Sequence, residues 1–247
     1  MTLTPERLRT ALGARPVRFY PQVGSTNDLA CEWLREGAES GAVMIADEQV
    51  RGRGRGDHGW YTPPGAALAM SIILHPSKAA LPRLTMLGAL SIAEVCDDVG
   101  LPDVSIKWPN DVLVDGRKVS GILVEAEWQG DQLLGAVLGM GLNVRVDFAG
   151  TEVKDRAISL ETALGKPLDR TELVALLLGK VDGWYRQLSS PALFTAWKNR
   201  LGTLGSPVQI GDVSGIAEDV DEQGILLVRD NDHHLHRVMA GDLRMTI

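Results

Sequence analysis

The chain carries the stretch Ala46-Asp-Glu-Gln-Val-Arg-Gly-Arg-Gly-Arg-Gly-Asp-His-Gly-Trp60 between two apolar segments, residues 41–46 and 66–74. Glycines at alternate positions adopt positive φ without steric cost and let backbone N–H groups approach a ligand closely. The arginines between them supply permanent charge in a planar fork of donors that matches a carboxylate or a phosphate. The pattern therefore predicts a flexible loop between two buried strands that closes on an anion.

An alternative interpretation of this loop is a basic segment that binds nucleic acid, because Arg-Gly runs are used in that way. The charge of the whole chain argues against it. The 247 residues carry a formal net charge of −7 at pH 7, whereas a general nucleic-acid binder needs a basic face. No nucleic-acid partner is therefore expected, and RNA binding through the loop is kept only as an alternative.

Length and composition bound the class of protein. With 247 residues, 45% hydrophobic and 23% charged, the chain is predicted to form one large globular domain and a small second one. Cys31 and Cys96 are too few for a disulfide framework, and the first residues lack the pattern of a secretory signal. Every apolar run is far shorter than the roughly 20 residues that cross a bilayer. A cytoplasmic protein without a membrane partner is expected.

A polar motif stands where a predicted strand turns into a helix. Ser25 and Asp28 fit a capping box at the start of a helix over residues 29–36. The side chains of Ser25, Thr26 and Asn27 also offer hydroxyls and an amide that suit a polar ligand head. Both interpretations are compatible with each other.

A second polar motif interrupts a predicted strand at Pro109. Lys107, Asn110 and Asp111 cluster around the break, and this set suits a nucleotide or a magnesium ion. The structural alternative is a surface ion pair beside a bulge. Asp115-Gly116 then predicts a two-residue hairpin turn, so the middle of the chain is expected to be an antiparallel meander.

The last third of the chain changes character. A helix with an apolar stripe is predicted over residues 169–188, and beyond Gly202 short apolar segments separated by glycines predict a small β-barrel. His233, His234 and His236 fall at a predicted hairpin end. Their spacing fits that turn better than a ligand set, so no metal site is expected.

Five polar motifs follow one another along the chain: Ser25-Thr-Asn27, then Gln49 with Gly52-Arg-Gly-Arg55 and Trp60, then Lys107-Trp-Pro-Asn-Asp111, Lys118-Val-Ser-Gly-Ile-Leu123 and Gly139-Met-Gly-Leu-Asn-Val144. In this order they resemble the motifs of biotin protein ligases, over nearly the whole chain. The resemblance implies an α+β fold, in which a mixed β-sheet flanked by helices, of the class II aminoacyl-tRNA synthetase and biotin synthetase-like type, precedes an SH3-like barrel. The expected catalytic domain is 1–202 and the expected barrel is 203–247.

The resemblance also implies a two-step reaction. ATP activates the biotin carboxylate as biotinyl-5′-AMP with release of pyrophosphate, and a lysine of a biotin carboxyl carrier domain, from acetyl-CoA carboxylase or a related carboxylase, then attacks the acyl carbon and expels AMP. ATP and Mg²⁺ are therefore the expected cofactors, with biotin as substrate. A ligase without a DNA-binding domain is expected, because too few residues precede the first strand. A homodimer through an exposed sheet edge remains open.

Site residues are carried over by motif match. The expected catalytic residues are Arg55, Asp111 and Lys118. The expected biotin-binding residues are Ser25, Thr26, Asn27, Gln49, Gly52, Arg53, Gly54, Arg55, Lys118 and Gly121. The expected nucleotide-binding residues are Arg55, Trp60, Lys107, Asn110, Asp111, Lys118 and Asn143. Trp60 and Trp108 are expected either on ligand rings or in the core.

The loop over residues 51–60 is predicted to be mobile without ligand and ordered with it, because an adenylate hydrolyses readily and a closing loop excludes water. Its end, Gly56-Asp-His-Gly59, departs from the family, where further basic residues are common. Two alternatives to the ligase are kept. One is a lipoate or octanoate transferase of the same fold superfamily, and the other is a non-catalytic sensor of biotin or a nucleotide.

Overall fold

The computed structural model describes residues 2–56 and 58–245. Met1, Thr246 and Ile247 lie outside the described residues, and so does Asp57 of the loop over residues 51–60, which we call the Arg-Gly loop. The larger of two sheets has seven strands, which are β1 (Val17–Val23), β2 (Val43–Gln49), β3 (Ala67–Leu74), β4 (Val104–Lys107), β5 (Asp111–Val114), β6 (Arg117–Gln129) and β7 (Gln132–Asn143). They lie in the order β1-β2-β3-β7-β6-β5-β4. β1 and β2 are parallel and all other neighbours are antiparallel, so the predicted mixed sheet is confirmed.

Helices cover both faces of this sheet. They are α1 (Pro5–Leu12), α2 (Thr26–Arg35), α3 (Arg83–Asp98), α4 (Leu160–Leu164), α5 (Arg170–Tyr185) and α6 (Pro191–Lys198), with a 3-10 turn at Lys78–Ala80. Gly88 of α3 lies against Leu138, whereas Asn27 of α2 lies against Gly139. Since neighbouring residues of a strand face opposite sides, α2 and α3 pack on opposite faces. Within the part of the chain that the structure describes, no helix is long and apolar enough to span a membrane.

The start of α2 corrects one prediction. The helix begins at Thr26 instead of Leu29, and the Ser25 side chain makes no capping hydrogen bond, so the predicted capping box is wrong. The N–H of Thr26 is instead satisfied by the side chain of Gln49, whose Oε1 lies 2.7 Å away. A partner from another strand has therefore taken the place of the local cap.

The chain after α6 forms a second sheet of five antiparallel strands. They are β8 (Pro207–Ile210), β9 (Val213–Val220), β10 (Leu226–Arg229), β11 (Leu235–Val238) and β12 (Leu243–Met245), in the order β11-β10-β9-β8-β12. The sequence predicted the first four, and it missed β12 because a three-residue strand is too short to show a period. The division of the chain at residue 202 stays a prediction.

Trp108 joins the two sheets. Its ring is buried, with 1% of the residue exposed, and its indole N–H donates to the carbonyl of Gly224 at 2.8 Å. Its backbone N–H donates to the hydroxyl of Thr203 at 2.9 Å. Of the two expectations for Trp108, core packing is the one observed. The strand break that follows it brings Lys107 opposite Asp111 across β4 and β5.

Candidate active site

A buried polar cluster forms where the start of α2 meets β2 and β3. Thr26 donates to Gln49 Oε1 through its backbone N–H at 2.7 Å and its hydroxyl at 3.0 Å. The hydroxyl of Ser71 lies 2.8 Å from Thr26 Oγ1 and 2.6 Å from Asn27 Oδ1. Ser25, Thr26, Asn27 and Ser71 are each no more than 4% exposed. We call Thr26, Asn27, Gln49 and Ser71 the polar cluster.

Two members of this neighbourhood were missed by the sequence analysis. Ser71 is the one polar side chain in β3, which is otherwise apolar and wholly buried, and that isolated hydroxyl was the available signal. Glu125 lies on β6, where its Oε2 accepts a hydrogen bond from Asn27 Nδ2 at 2.7 Å. It belongs to no recognisable motif. Both residues fix the orientation of the Asn27 amide.

The Arg-Gly loop lies between β2 and β3, as predicted, and folds back on itself. Trp60 N donates to Gly52 O at 2.8 Å, and Gly54 N donates to His58 O at 2.7 Å. A Cβ at Gly52 would overlap the carbonyl of Trp60. Glycine is therefore required at position 52 by a close backbone approach.

Arg53 is bracketed by two carboxylates. Its Nη2 lies 2.6 Å from Asp28 Oδ1 and 2.6 Å from Glu125 Oε2. These two acidic residues come from α2 and β6, so the Arg53 side chain fastens the loop to both elements. The charge of this guanidinium is compensated within the protein.

Two more of the predicted cations, Lys118 and Arg55, have different partners. Lys118 Nζ lies 2.6 Å from Asp111 Oδ1 and forms an ion pair. Arg55 Nη1 donates at 3.4 Å to the amide oxygen of Asn110, which is neutral, and no carboxylate of the described residues pairs with it. We call Arg55, Asn110, Asp111 and Lys118 the cation cluster. Within it, Arg55 has the least compensated positive charge.

Two glycines of β7 place these clusters side by side. A Cβ at Gly139 would overlap the Asn27 carboxamide, and a Cβ at Gly141 would overlap the Trp60 indole. Residues two apart on a strand share a face and lie about 7 Å from each other. Lys118 Nζ is 5.4 Å from the Trp60 ring centroid. The polar cluster and the cation cluster therefore adjoin on one face of the sheet.

The Trp60 ring also packs on the backbone of β6. The position of a Cβ at Gly121 lies 3.2 Å from Trp60 and 3.2 Å from the Lys118 side chain, and Gly121 is paired with Gly141 across the strands. The indole nitrogen of Trp60 is buried and has no hydrogen-bond partner among the described residues. The predicted residues Trp60, Lys118 and Gly121 are thus brought together.

Two predicted amides serve the fold. Asn110 Nδ2 donates to the carbonyl of Ile122 at 2.7 Å and prolongs the β5–β6 ladder. Asn143 is 3% exposed, and its Nδ2 donates to the carbonyls of Lys118 at 3.4 Å and Ile158 at 3.3 Å. Asn143 therefore ties the end of β7 to the segment that follows it.

The histidines of the terminal sheet lie apart from both clusters. His236 Nε2 is 2.6 Å from Asp230 Oδ2, and this hydrogen bond lowers the pKa of Asp230 to about 2. His234 lies 3.5 Å from the same carboxylate. In residues 2–56 and 58–245, no group of three His, Cys, Asp or Glu side chains is placed to hold a metal ion.

A cavity of about 340 Å³ adjoins the cation cluster. It is bounded by β6, by α3 and α6 and by turns of the terminal sheet, and its lining includes Arg55, Asn110, Val124, Trp197, Gly224 and Met239. His58 of the loop also reaches the terminal sheet, with its Nε2 3.0 Å from Asp242 Oδ2. The terminal sheet therefore lies against the same side of the site as the loop.

The fold and the two adjoining clusters define a ligase of the biotin and lipoate type. The model of the Biotin/lipoate A/B protein ligase family matches residues 19–143, and that of the Biotin protein ligase C terminal domain matches residues 203–243. The chain belongs to the biotin protein ligase family.

Individual relatives cover almost all of the chain. The Biotin--[acetyl-CoA-carboxylase] ligase of Mycobacterium tuberculosis is 32% identical over 257 residues, covering 98% of this chain and 93% of the relative. The Bifunctional ligase/repressor BirA of Bacillus subtilis is 29% identical over 251 residues, covering 96% of this chain and 76% of the relative. The structure of biotin protein ligase from Aquifex aeolicus in complex with biotin and ATP superposes with a TM-score of 0.80 at 27% identity, covering 94% of this chain and 99% of that one.

Proposed function

We propose that this chain is an ATP-dependent ligase that forms biotinyl-5′-AMP and transfers biotin to a lysine of a biotin carboxyl carrier domain. One observation carries the proposal: a buried, neutral polar cluster adjoins a cation cluster, with Asn27 over Gly139 and Trp60 over Gly141 of the same strand. The first suits an uncharged cyclic urea, and the second suits a carboxylate being joined to a phosphate. Biotin is the acyl substrate that presents both.

The first step brings two anions together. A carboxylate oxygen attacks the α-phosphorus of ATP, and pyrophosphate leaves with the electrons of the broken P–O bond. Arg55 is the group that would meet the developing charge, because its partner is the neutral amide of Asn110. Lys118 would join it by exchanging its ion pair with Asp111 for the ligand oxygens.

The second step needs a neutral amine. The acceptor lysine attacks the acyl carbon, the bond to the phosphate oxygen breaks, and AMP leaves. Once Lys118 turns to the phosphate, the carboxylate of Asp111 is free to hold the incoming ammonium and to accept its proton. Trp60 would shield the acyl phosphate from water, because its ring lies over the backbone between Gly121 and Gly141.

Magnesium fits this site only as an ion carried by the nucleotide. Mg²⁺ prefers one or two carboxylates together with phosphate oxygens and water. Asp111 and Asn110 supply one carboxylate and one amide oxygen beside Lys118, and no preformed set of three acidic or histidine ligands exists in the described residues. Asp111 would hold the ion, whose charge would neutralise the phosphates.

The carrier domain is proposed to dock beside Arg55. β6 is paired with β5 as far as Gly121, and Asn110 satisfies the backbone of Ile122, so in the described chain residues 123–129 have no strand on that side. This open edge adjoins the 340 Å³ cavity, and an extended segment of a partner can add to it by backbone hydrogen bonds. A second copy of the chain on the same edge would give a homodimer.

The two parts of the chain would divide the work. Residues 1–202 carry both clusters, and residues 203–247 support the loop, as the His58 to Asp242 contact suggests. Cys31 and Cys96 are both free thiols, which suits a reducing compartment, and the cytoplasm is the proposed location.

The test is the intact mass of an apo carrier domain incubated with this protein, biotin, ATP and magnesium. A biotinyl mass increase is expected, and Arg55→Ala should lower its rate by about 10²- to 10³-fold, as for loss of one donor to a transition-state oxyanion. Arg51→Ala is the matched control, because Arg51 lies in the same loop and is exposed against Gly24. Its rate should stay within about twofold of the wild type.

The outcomes separate the alternatives. No mass increase with any carrier, together with no pyrophosphate release, would contradict the ligase. Transfer of lipoate or octanoate in place of biotin would favour the transferase. If Arg55→Ala and Arg51→Ala lowered the rate of biotin transfer equally, Arg55 would have no special role in the reaction.

A further inference from the structure

One carboxylate oxygen holds a residue of the polar cluster and a residue of the loop. Glu125 Oε2 accepts from Asn27 Nδ2 at 2.7 Å and from Arg53 Nη2 at 2.6 Å. Asn27 is the second residue of α2, Arg53 belongs to the Arg-Gly loop, and Glu125 lies on β6. Three elements therefore meet at a single side chain, of which 28% is exposed.

The Asn27 end of this contact is buried and tightly determined. Ser71 Oγ lies 2.6 Å from Asn27 Oδ1, so the amide oxygen faces Ser71 and the amide nitrogen faces Glu125. Gly139 leaves the space that the carboxamide occupies. Removing the Glu125 carboxylate would leave a donor of a residue that is 4% exposed without its close partner, which is costly.

The Arg53 end is more open. Arg53 has a second anchor in Asp28 Oδ1 at 2.6 Å, and the Arg53 and Asp28 side chains are 42% and 52% exposed. An exposed ion pair alone stabilises a protein little. The ion pairs of Arg53 act on the loop instead, because a loop fastened at Arg53 has fewer residues left to order when it closes on a ligand.

We propose that Glu125 is a positioning residue that couples the Arg-Gly loop to the polar cluster. It holds the Asn27 amide for the head of the acyl substrate and fastens Arg53, so that Arg55 is the arginine presented to the carboxylate and phosphate. This inference rests on the proposed function. Arg53, bracketed by two carboxylates, then acts through the loop and does not itself bind the anion.

Two substitutions at Glu125 separate the two contacts. Glu125→Ala removes the contacts to both Asn27 and Arg53. It should raise the KM for biotin about tenfold, as expected for a lost hydrogen bond to a charged group. It should also speed the escape of biotinyl-5′-AMP, measured as free adenylate when no carrier is present. Glu125→Gln keeps an acceptor oxygen for Asn27 and loses the charge, so it should restore the KM and leave the adenylate escape fast.

Two further variants act as controls. Asp28→Asn disturbs only Arg53, so it should leave the KM for biotin unchanged and raise adenylate escape by a smaller factor than Glu125→Ala. Glu127→Ala lies two residues along the same strand, and its carboxylate pairs with Arg35 at 2.9 Å. It should change neither quantity.

Comparison of Glu125→Ala with Glu127→Ala decides the inference. If both match an active wild type in KM and in adenylate escape, Glu125 has no positioning role. If the wild type itself transfers no biotin, the proposed function has failed, which is a different result. Should Glu125→Ala unfold, Glu125→Gln decides alone: wild-type adenylate escape would then contradict the coupling.

Discussion

The polar cluster and the cation cluster adjoin on one sheet face and are built in opposite ways. In the polar cluster, Thr26, Asn27 and Ser71 are no more than 4% exposed and hydrogen-bond to one another or to Gln49 and Glu125. In the cation cluster, Lys118 and Asp111 have side chains 34% and 22% exposed and hold each other by one contact. A neutral head group needs donors and acceptors fixed beforehand, whereas anions that arrive and leave need cations that can change partners.

The difference has an energetic basis. A buried polar group without a partner costs on the order of 1–3 kcal/mol, so a buried cluster has to be complete before the ligand binds. A partly hydrated ion pair is worth less than about 1 kcal/mol and is easily exchanged. The polar cluster, which recognises the neutral head group, is therefore built to be rigid. The cation cluster, which takes part in the reaction, is built to exchange partners.

The largest effect is expected in the cation cluster. Lys118→Met keeps the stem of the side chain over Trp60 and removes its charge, so adenylate formation should fall by about 10²- to 10³-fold. The affinity for biotin should fall by a much smaller factor, since Lys118 is one contact to the ligand among several and the polar cluster keeps its hydrogen bonds. Pyrophosphate release and biotin titration measure the two quantities. A parallel loss of both would mean that the clusters are not separate.

A smaller effect is expected from filling the space under the polar cluster. Gly139→Ala places a methyl group against the Asn27 carboxamide, and overpacking of this kind costs about 1–3 kcal/mol, or roughly 5- to 150-fold if all of it appears in biotin affinity. Gly179→Ala is the control, because Gly179 lies in α5 with open space where its Cβ would stand, and alanine favours a helix. Calorimetric titration with biotin compares them. Unchanged affinity in Gly139→Ala would show that the cluster adapts.

Local patterns of the sequence predicted the elements well. The strands on either side of the loop, the turn at Asp115-Gly116 and the long helix near residues 169–188 all follow from short-range signals, and they are confirmed. The error at Ser25 and the omission of Glu125 share a cause. Asn27 and Glu125 are 98 positions apart, so no local period or motif connects them. Which side chains satisfy a helix end or an amide is decided by tertiary packing.

The cation cluster shows the same limit. Motif matching grouped Arg53 with Arg55, because both alternate with glycines in one loop. The structure gives them different surroundings, with two carboxylates around Arg53 and a neutral amide beside Arg55. A pattern of residue types cannot show which of two equal charges is already compensated.

The smallest effect is expected in cysteine alkylation, which tests whether the polar cluster is as rigid as the core. Cys31 lies on α2 next to the cluster, and Cys96 lies in α3 within the core. Burial raises the pKa of both thiols from 9.0 to about 12, and the charges of Glu125 and Glu127 add to the effect at Cys31. A raised thiol pKa makes the thiolate rarer at pH 8, so alkylation of either cysteine should require opening of the surrounding structure.

Mass spectrometry of iodoacetamide labelling at pH 8 should show both cysteines equally protected, and both should react after unfolding. Faster labelling of Cys31 would mean that α2 opens independently of the core. The contrast between the two clusters would then be smaller, because the polar cluster would also be mobile and biotin would have to order it.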